Sequence, residues 1–433
     1  MIAALKIAVS LLLLVAALYG ARWLGARLQL GAEVQRKTVH AALGFYALSF
    51  PWIFAAAWEV AALCGLALGL LLAVRLWPGS GGASGGLGAA LHGVKRESLG
   101  EFYFAFSIAL LFYLKQDRDA LYVLPLLILT LCDAAAALVG SSYGRRHFPV
   151  ESGHKSVEGS VVFFITAWLL SMIVLLLLTD VPRAEVIAAA FVLAAFGSLI
   201  EAVSWRGLDN LLVPMGMYLL AERLLAYPAA DLLVTSAVFL PVLLLAFRLG
   251  ASDRPQLHAL VTMLIASFFI WIVGRWANLF APFSVFLAYT LLNRRRADPD
   301  EALSLVLSII ITALFWYCVS HATGYNTDPV YNLAFGLQLL MVMLRHRPGR
   351  TGVFAWSAMG IVLAWIVIHL RYLVLPALPD LTVLVLPAQV ALAVLALAAV
   401  LIAAFWRHRD DRRWLGQAVL ASAGASLIIP LTI

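Results

Sequence analysis

Charged residues are scarce in this sequence. Only 12% of its 433 residues are Asp, Glu, Lys or Arg, whereas 64% are hydrophobic. A soluble domain is about one quarter charged and about half apolar. Cysteine is scarce too: Cys64, Cys132 and Cys318 stand in apolar segments, without the spacing of metal ligands or of a disulfide framework. The composition therefore excludes a soluble domain and a disulfide-stapled one.

Apolar runs long enough to span a membrane recur from one end of the chain to the other. They predict an all-α, polytopic helical membrane protein with about 14–16 transmembrane helices. Examples of the expected spans are 39–57, 120–140 and 160–179. The first apolar run extends to Tyr19 and is followed by further spans, so we expect it to be retained as a span and not removed as a signal peptide.

The positive charges predict an orientation. Most of the 30 Lys and Arg residues fall in one of the two alternating sets of connections between spans. Such an asymmetry assigns that set to the cytoplasm and the N-terminus to the outside. We expect an integral protein of a bacterial cytoplasmic membrane. The net charge of +7 is explained by topology and does not indicate a nucleic-acid partner, and the sequence does not define the oligomeric state.

The segment from Asp133 to Ser160 combines groups that suit a nucleotide phosphate. A carboxylate, two glycines, basic residues and a Lys-Ser pair follow one another between two apolar runs. Carboxylates bind a metal ion, while lysine and backbone N–H groups bind phosphate oxygens. The spacing is not that of a Walker loop. A basic cytoplasmic loop that only sets topology is the alternative interpretation. Neither Lys155 nor Asp133 belongs to an apolar packing face, so Lys155→Ala and Asp133→Asn are expected to leave folding intact.

Three further polar clusters fall on the same predicted side. Glu33, Lys37 and His40 have spacings that place them on one face of a helix. Glu101 precedes an aromatic span, where it is either functional or a first-turn helix carboxylate. Glu201 lies near the end of a span, and Asp209 and Asn210 open the next one, where helix capping is the alternative role.

Taken in order, five motifs resemble the polyprenol kinase family, which includes dolichol kinase and phytol kinase and is distantly similar to CDP-diacylglycerol synthase. The motifs are Glu33…Arg36-Lys37-Thr-Val-His40, Ser98-Leu-Gly-Glu101-Phe-Tyr, Asp133-Ala-Ala-Ala-Ala-Leu-Val-Gly140 with Gly144, Lys155-Ser156-Val-Glu158-Gly159-Ser160, and Glu201…Gly207-Leu-Asp209-Asn210…Pro214. The resemblance covers roughly residues 30 to 250. It implies a CTP-dependent lipid-alcohol kinase domain over residues 1–253. Residues 254–433 then form a second multi-span domain of unknown function.

The resemblance also implies roles for individual residues, with Mg²⁺ as cofactor and CTP as phosphoryl donor. The expected catalytic residues are Asp133, Lys155, Glu101 and His40, with the general base left open among Glu101, His40 and Asp133. Metal binding is expected of Asp133, Glu201 and Asp209. Nucleotide binding is expected of Arg36, Lys37, Gly140, Gly144, Ser156, Glu158, Gly159, Ser160 and Asn210, with Arg145 and Arg146 as further cations that steer or neutralise phosphate.

Two other functions compete with a kinase. A cytidylyltransferase would use the same metal and the same membrane face to make a CDP-lipid. The synthases typically carry Pro-Gly-His-Gly-Gly before an Asp-Arg pair, whereas this chain has Gly153-His-Lys155-Ser156-Val-Glu158-Gly, which favours the kinase. A transporter or scaffold is less compatible, because transporter sites lie near the midplane of repeated halves. The expected partners are thus CTP, a lipid alcohol of undefined identity and the bilayer.

Overall fold

In the computed structural model, the described residues are 2–29, 31–76, 100–150, 153–204, 207–250, 255–274, 276–293 and 299–345, with isolated positions beyond 358. The helices of the first part are α1 (Ile2–Arg27), α2 (Ala32–Leu48), α3 (Phe50–Ile53), α4 (Ala57–Leu76), α5 (Gly100–Leu114), α6 (Ala120–Leu127), α7 (Asp133–Tyr143), α8 (Val157–Leu178), α9 (Arg183–Val203), α10 (Asp209–Leu224) and α11 (Ala229–Gly250). Helices α12 (Pro255–Gly274), α13 (Phe280–Leu292), α14 (Pro299–Thr323) and α15 (Asp328–Arg345) follow, with a 3₁₀ turn at Trp276–Leu279.

The chain divides into two compact units, Met1–Leu243 and Leu244–Ile433. The division falls inside helix α11. The expected functional boundary after residue 253 remains a prediction, because compactness does not reveal which activity each unit has. All the predicted site residues belong to the first unit.

The prediction of an all-α polytopic membrane protein is confirmed. Within the described ranges, five helices are long and apolar enough to cross a membrane: Ile2–Gly25, Ala120–Tyr143, Val157–Leu178, Arg183–Val203 and Glu301–Thr323. Helix α8 shows the pattern clearly, since Ile165, Leu169 and Ile173 are about half exposed along one face while Phe163 and Ala167 are fully buried on another. An exposed apolar stripe of this kind suits contact with lipid chains.

The span expected at 39–57 was placed too far along the sequence. Helix α2 begins at Ala32 and ends at Leu48, and the short helix α3 follows after Ser49. A hydropathy window misses the first turns of α2 because they carry Arg36, Lys37 and His40. The polar residues are therefore part of the helix itself.

The span expected at 120–140 is a helix with an interruption. Helix α6 passes into a π-helical turn at Ile128–Cys132, and α7 begins at Asp133. Pro125 contributes to the irregularity, since it has no N–H group for the i−4 carbonyl. A π turn inserts extra backbone, changes the direction in which the following residues point and is frequent at functional sites. It therefore sets the direction of Asp133.

The expected loop from Asp133 to Ser160 is largely regular structure. Its first part is helix α7, and its second part is an antiparallel hairpin of β1 (His147–Val150) and β2 (Gly153–Ser156). Phe148 pairs with Lys155 across the hairpin, and Val157 N donates to Arg146 O at 2.9 Å. The hairpin leads directly into α8, which packs against both α7 and α9.

Candidate active site

Lys37 and Asp133 form an ion pair between α2 and α7. The Lys37 Nζ donates to Asp133 Oδ2, and the two side chains are only 6% and 8% exposed. Charges removed from water in this way are tolerated when each one has a close partner of opposite sign. The pair thus fixes the start of α7 against α2, where the π turn presents the aspartate.

His40 lies one turn further along α2. Its ring is 4.5 Å from the Phe104 ring of α5, measured between centroids. Its Nε2 is buried and has no hydrogen-bond partner among the described residues. Four charged residues act on it electrostatically: Asp133, Lys37, Asp209 and Arg36.

A second ion pair joins the hairpin to the end of α9. The Lys155 Nζ lies 2.7 Å from Glu201 Oε1 and also donates to the Glu201 backbone carbonyl. Glu201 is in the last turn of α9, where a cation is favoured by the helix dipole. The side chains are 23% and 12% exposed. This Lys155 pair is therefore wetter than the pair of Lys37 and Asp133.

The glycines of the motif allow α7, the hairpin and α8 to meet closely. A Cβ atom on Gly140 would lie 2.7 Å from Ser156 Oγ, and one on Gly144 would lie 2.8 Å from Ser156 Cβ. A Cβ on Gly159 would lie 2.9 Å from the Ala136 carbonyl oxygen. Real Cβ atoms essentially never come so close to other atoms. These glycines have a packing role whether or not they also face a nucleotide.

The start of α8 is capped by its own residues. The Ser156 hydroxyl accepts from Gly159 N at 3.1 Å, which is an N-cap bond. Ser160 donates to the Ser156 carbonyl at 3.4 Å, and Ser198 donates to the Ser160 carbonyl at 3.0 Å. The Ser156 hydroxyl and the Gly159 N–H, both expected to support a phosphate, are bonded to each other here.

Glu158 closes the turn between α7 and the hairpin. Both of its carboxylate oxygens accept from Arg146 N at 3.3 Å. The Arg145 and Arg146 side chains are exposed. The turn thus positions two cations at the protein surface, close in sequence to Lys155.

The other predicted residues are placed separately. Glu101 is exposed in the first turn of α5. Asn210 is buried, its side-chain amide donates to Gly100 O at 3.1 Å, and its own carbonyl accepts from Ser107 at 2.7 Å. Asn210 therefore joins α10 to α5. Asp209, beside it, is half-buried and reaches His40 electrostatically.

The carboxylates were tested as a metal site. The described part of the chain contains no group of three or more His, Cys, Asp or Glu residues arranged to hold a metal ion. Such a cage is not required for Mg²⁺, which usually binds through one or two carboxylates, water and substrate phosphates. Asp133 and Asp209, which share His40 as a neighbour, offer hard oxygen ligands of this kind. The donor set fits a magnesium ion that arrives with a nucleotide.

The sequence did not indicate the partner of each lysine, nor the residues around the Lys37 ion pair. Phe104, which supports His40, and the alanines beside Lys37 and Asp133 were not singled out. The alanine run after Asp133 was visible, but small residues are equally common at ordinary helix contacts in membranes. Only the packing of α2 against α7 distinguishes the two roles.

Known proteins resemble part of this chain. A family model described as the cytidylyltransferase family matches residues 1–207. Phytol kinase from Synechocystis sp. is 31% identical over 193 residues, covering 44% of this chain and 78% of that relative. The chain belongs to the polyprenol kinase family, as its motifs predicted. No solved structure matches it.

Proposed function

We propose that the first unit transfers the γ-phosphate of CTP to an isoprenoid alcohol at the cytoplasmic membrane face. The observation that carries this proposal is the pair of lysine–carboxylate contacts, Lys37 with Asp133 and Lys155 with Glu201. Both lie within residues 1–207, which match the cytidylyltransferase family model. Family membership supports a kinase that uses a nucleotide and a lipid; CTP, magnesium and the membrane face are parts of the proposal.

Each ion pair joins one group suited to phosphate with one suited to Mg²⁺. Without ligand, the lysine and the carboxylate satisfy each other, which avoids an unpaired charge in a medium of low dielectric constant. With Mg–CTP bound, Lys37 and Lys155 would hold phosphate oxygens, and Asp133 and Glu201 would be available to the metal. The site thus exchanges internal ion pairs for pairs with the ligand.

Phosphoryl transfer requires mainly positioning and neutralisation of charge. Asp133, together with Asp209 or Glu201, would hold Mg²⁺, which when bound neutralises negative charge on the phosphates. Arg36 and the exposed Arg145 and Arg146 raise the local concentration of the anionic nucleotide. Gly140, Gly144 and Gly159 allow α7, the hairpin and the start of α8 to meet closely.

The lipid hydroxyl must give up a proton as its oxygen attacks phosphorus. His40 is the acceptor that the geometry favours, because its buried Nε2 has no hydrogen-bond partner within the described ranges. Asp133 is assigned to the metal when nucleotide is bound, and the Glu101 side chain is exposed. The carboxylate of Asp133 would stabilise the imidazolium that forms.

Radioactive phosphorus distinguishes the two reactions directly. The purified protein in lipid nanodiscs is given phytol with CTP labelled at either the γ- or the α-phosphorus, with Mg²⁺ or with excess EDTA. A kinase transfers only the γ label to the lipid and releases CDP. We expect this result, its loss in EDTA, and weaker transfer from ATP. No transfer from CTP to any isoprenoid alcohol contradicts the proposal.

A cytidylyltransferase is the second candidate, and the description of the matching family model favours it. Such an enzyme would transfer the α label to a phospholipid acceptor such as phosphatidic acid and release pyrophosphate. The same assay with phosphatidic acid in place of phytol tests it. Transfer of the α label, with formation of a CDP-lipid, would replace the kinase proposal.

The proposed location is a bacterial cytoplasmic membrane with the hairpin inside. The excess of Lys and Arg in one set of connections supports it. Single cysteines at Ser142 and at Asp117 of a cysteine-free variant test the orientation with a membrane-impermeant maleimide. We expect labelling at 142 only after the cells are opened, and labelling at 117 in intact spheroplasts.

A further inference from the structure

An open groove runs between α2 and α7 beside the buried ion pair. Its volume is about 340 Å³, at the lower end of the roughly 300–1,000 Å³ typical of small-molecule pockets. Apart from Lys37, the groove is lined by Val34, Thr38, Ala41, Ala42, Ala134 and Leu138. We call it the α2–α7 groove.

Small side chains create this groove. Val34, Thr38, Ala41 and Ala42 follow one another at helical spacing, so they share one face of α2 over about 12 Å of helix length. Opposite them lie Ala134 and Leu138, one turn apart on α7. The alanines are half-buried and Leu138 is 40% exposed. The groove is therefore open along its length, as a channel for a flexible chain should be.

The groove has one charged side chain in its wall. Lys37 lines it and forms the ion pair with Asp133, which directly precedes the lining residue Ala134. The only other lining side chain with a polar group, Thr38, already donates its hydroxyl hydrogen to the Val34 carbonyl at 2.8 Å. A ligand that fits here has a single polar head at the ion pair and an apolar chain beyond it.

We propose that the α2–α7 groove binds the hydroxyl-proximal part of the isoprenoid chain, and that its end at Ala42 makes the enzyme sensitive to chain length. This inference rests on the proposed kinase function. The hydroxyl lies beside Lys37 and Asp133, the two residues assigned to phosphate and metal. The chain passes Ala41 and Ala42, the end of the groove that is farther along α2 from its charged start, and continues between helices.

Filling the end of the groove at Ala42 tests the proposal. In nanodiscs, Ala42→Phe is compared with the parent on 3-methyl-2-buten-1-ol, geraniol and phytol, all with γ-labelled CTP. We expect kcat/KM for phytol to fall about 10-fold or more, because several chain carbons lose their apolar contacts. Turnover of the five-carbon alcohol and the binding of CTP should stay within about 3-fold of the parent.

A control variant separates the groove from general effects of bulk. Ala135→Phe adds the same volume on α7 at a half-buried position that does not line the groove. This variant should leave the ratio of phytol to short-chain turnover unchanged. An equal fall for all three alcohols in Ala42→Phe, or no change for any, overturns the groove assignment and indicates that a bilayer lipid fills this space.

Crosslinking keeps the proposal testable if Ala42→Phe fails to fold. A phytol analogue with a diazirine on its second isoprene unit is photolysed with the unmodified protein and CDP. We expect labelled peptides containing Ala41–Ala42 or Ala134–Leu138, and competition by phytol. Labelling confined to other helices contradicts the groove. If the parent protein phosphorylates no alcohol at all, it is the kinase proposal that fails, which the label-transfer assay reveals separately.

Discussion

The Nζ of Lys155 lies 2.7 Å from Oε1 of Glu201, and the same ammonium group donates to the Glu201 backbone carbonyl. The two residues are 46 positions apart in the chain. Their contact ties the hairpin to the end of α9. Because Lys37 and Asp133 form a comparable pair, neither of these lysines is free in the absence of nucleotide. Nucleotide binding must therefore compete with internal carboxylates, which favours a polyanion carrying a divalent cation over a lone phosphate.

Replacing Lys155 should weaken nucleotide binding. A charge-assisted phosphate contact contributes about 1.5–3 kcal/mol, so Lys155→Met should raise the Kd for Mg–CTP by roughly 10- to 150-fold. Isothermal titration of the protein in nanodiscs measures the Kd. The stability should change little, because this pair is partly solvated.

Lys115→Met is the matched control for this substitution. Lys115 makes an ion pair of equal length, 2.7 Å, with Asp119, but between α5 and α6. Lys115→Met removes the same charge as Lys155→Met and should leave CTP binding unchanged. The double variant Lys155→Glu with Glu201→Lys restores an ion pair but not the position of the cation, so it should still bind poorly. Wild-type affinity in Lys155→Met would remove this lysine from the nucleotide site.

Breaking the pair of Lys37 and Asp133 should destabilise the protein as well as inactivate it. Removing one partner of a buried pair costs about 3–5 kcal/mol, because the other charge remains buried and unpaired. Asp133→Asn and Lys37→Met should each lower the thermal unfolding midpoint, followed by intrinsic fluorescence in detergent. The double variant Lys37→Met with Asp133→Leu should recover most of the stability but no kinase activity.

The double variant separates structure from chemistry at this pair. If it regains activity along with stability, the pair serves folding alone, and metal and phosphate must be bound elsewhere. If the single variants are as stable as the parent, water reaches the side chains of Lys37 and Asp133 in the membrane-embedded protein, and the pair is not buried. The first unit would then open more readily at α2 and α7 than its packing indicates.

Much of the first unit follows from its sequence for a simple physical reason. A bilayer requires backbone hydrogen bonds to be satisfied within each span, so apolar length alone predicts helices. The span expected at 160–179 is α8 at Val157–Leu178. Candidate site residues could also be named from the sequence, because charged and glycine residues are conspicuous in apolar surroundings. Their roles stay predictions.

Pairing and irregular backbone could not be predicted in the same way. Nothing in the local sequence states that Lys37 meets Asp133 or that Lys155 meets Glu201, since both contacts depend on how distant helices pack. The π turn before Asp133 has only Pro125 as a local signal. We expected that Asp133 could be changed without effect on folding, because it belongs to no apolar packing face. Its buried ion pair with Lys37 at the start of α7 gives the opposite expectation.

Adding one methyl group at Gly159 should loosen the contact of α7 with α8. Its Cβ would lie 2.9 Å from the Ala136 carbonyl oxygen and 3.4 Å from Gly140 Cα, both backbone atoms that cannot move aside alone. Overpacking of this kind costs about 1–3 kcal/mol. The thermal unfolding midpoint of Gly159→Ala in detergent should therefore fall, and activity should fall with it because Lys155 and Ser156 shift.

Gly69→Ala provides the control for Gly159→Ala. Gly69 is inside helix α4, and a Cβ there would meet nothing within 4 Å. The substitution should be neutral or stabilise the protein by up to about 1 kcal/mol, because alanine has the higher helix propensity. Equal midpoints for Gly159→Ala and Gly69→Ala would show that α7 and α8 are not in close contact at these glycines.

Replacing His40 should lower activity without lowering stability. His40→Phe keeps an aromatic ring against Phe104 and removes a buried Nε2 that has no hydrogen-bond partner among the residues described. Loss of an unsatisfied buried polar atom is neutral or stabilising, so the unfolding midpoint should stay or rise. If His40 accepts the proton of the lipid hydroxyl, kcat should fall about 10²- to 10⁴-fold while the Kd for Mg–CTP is retained.

Phe104→Leu, which keeps the imidazole and removes the ring contact, should lose far less activity. Nearly normal kcat in His40→Phe would exclude histidine as the base, and a parallel loss in Glu101→Gln would transfer that role to the exposed glutamate at the start of α5.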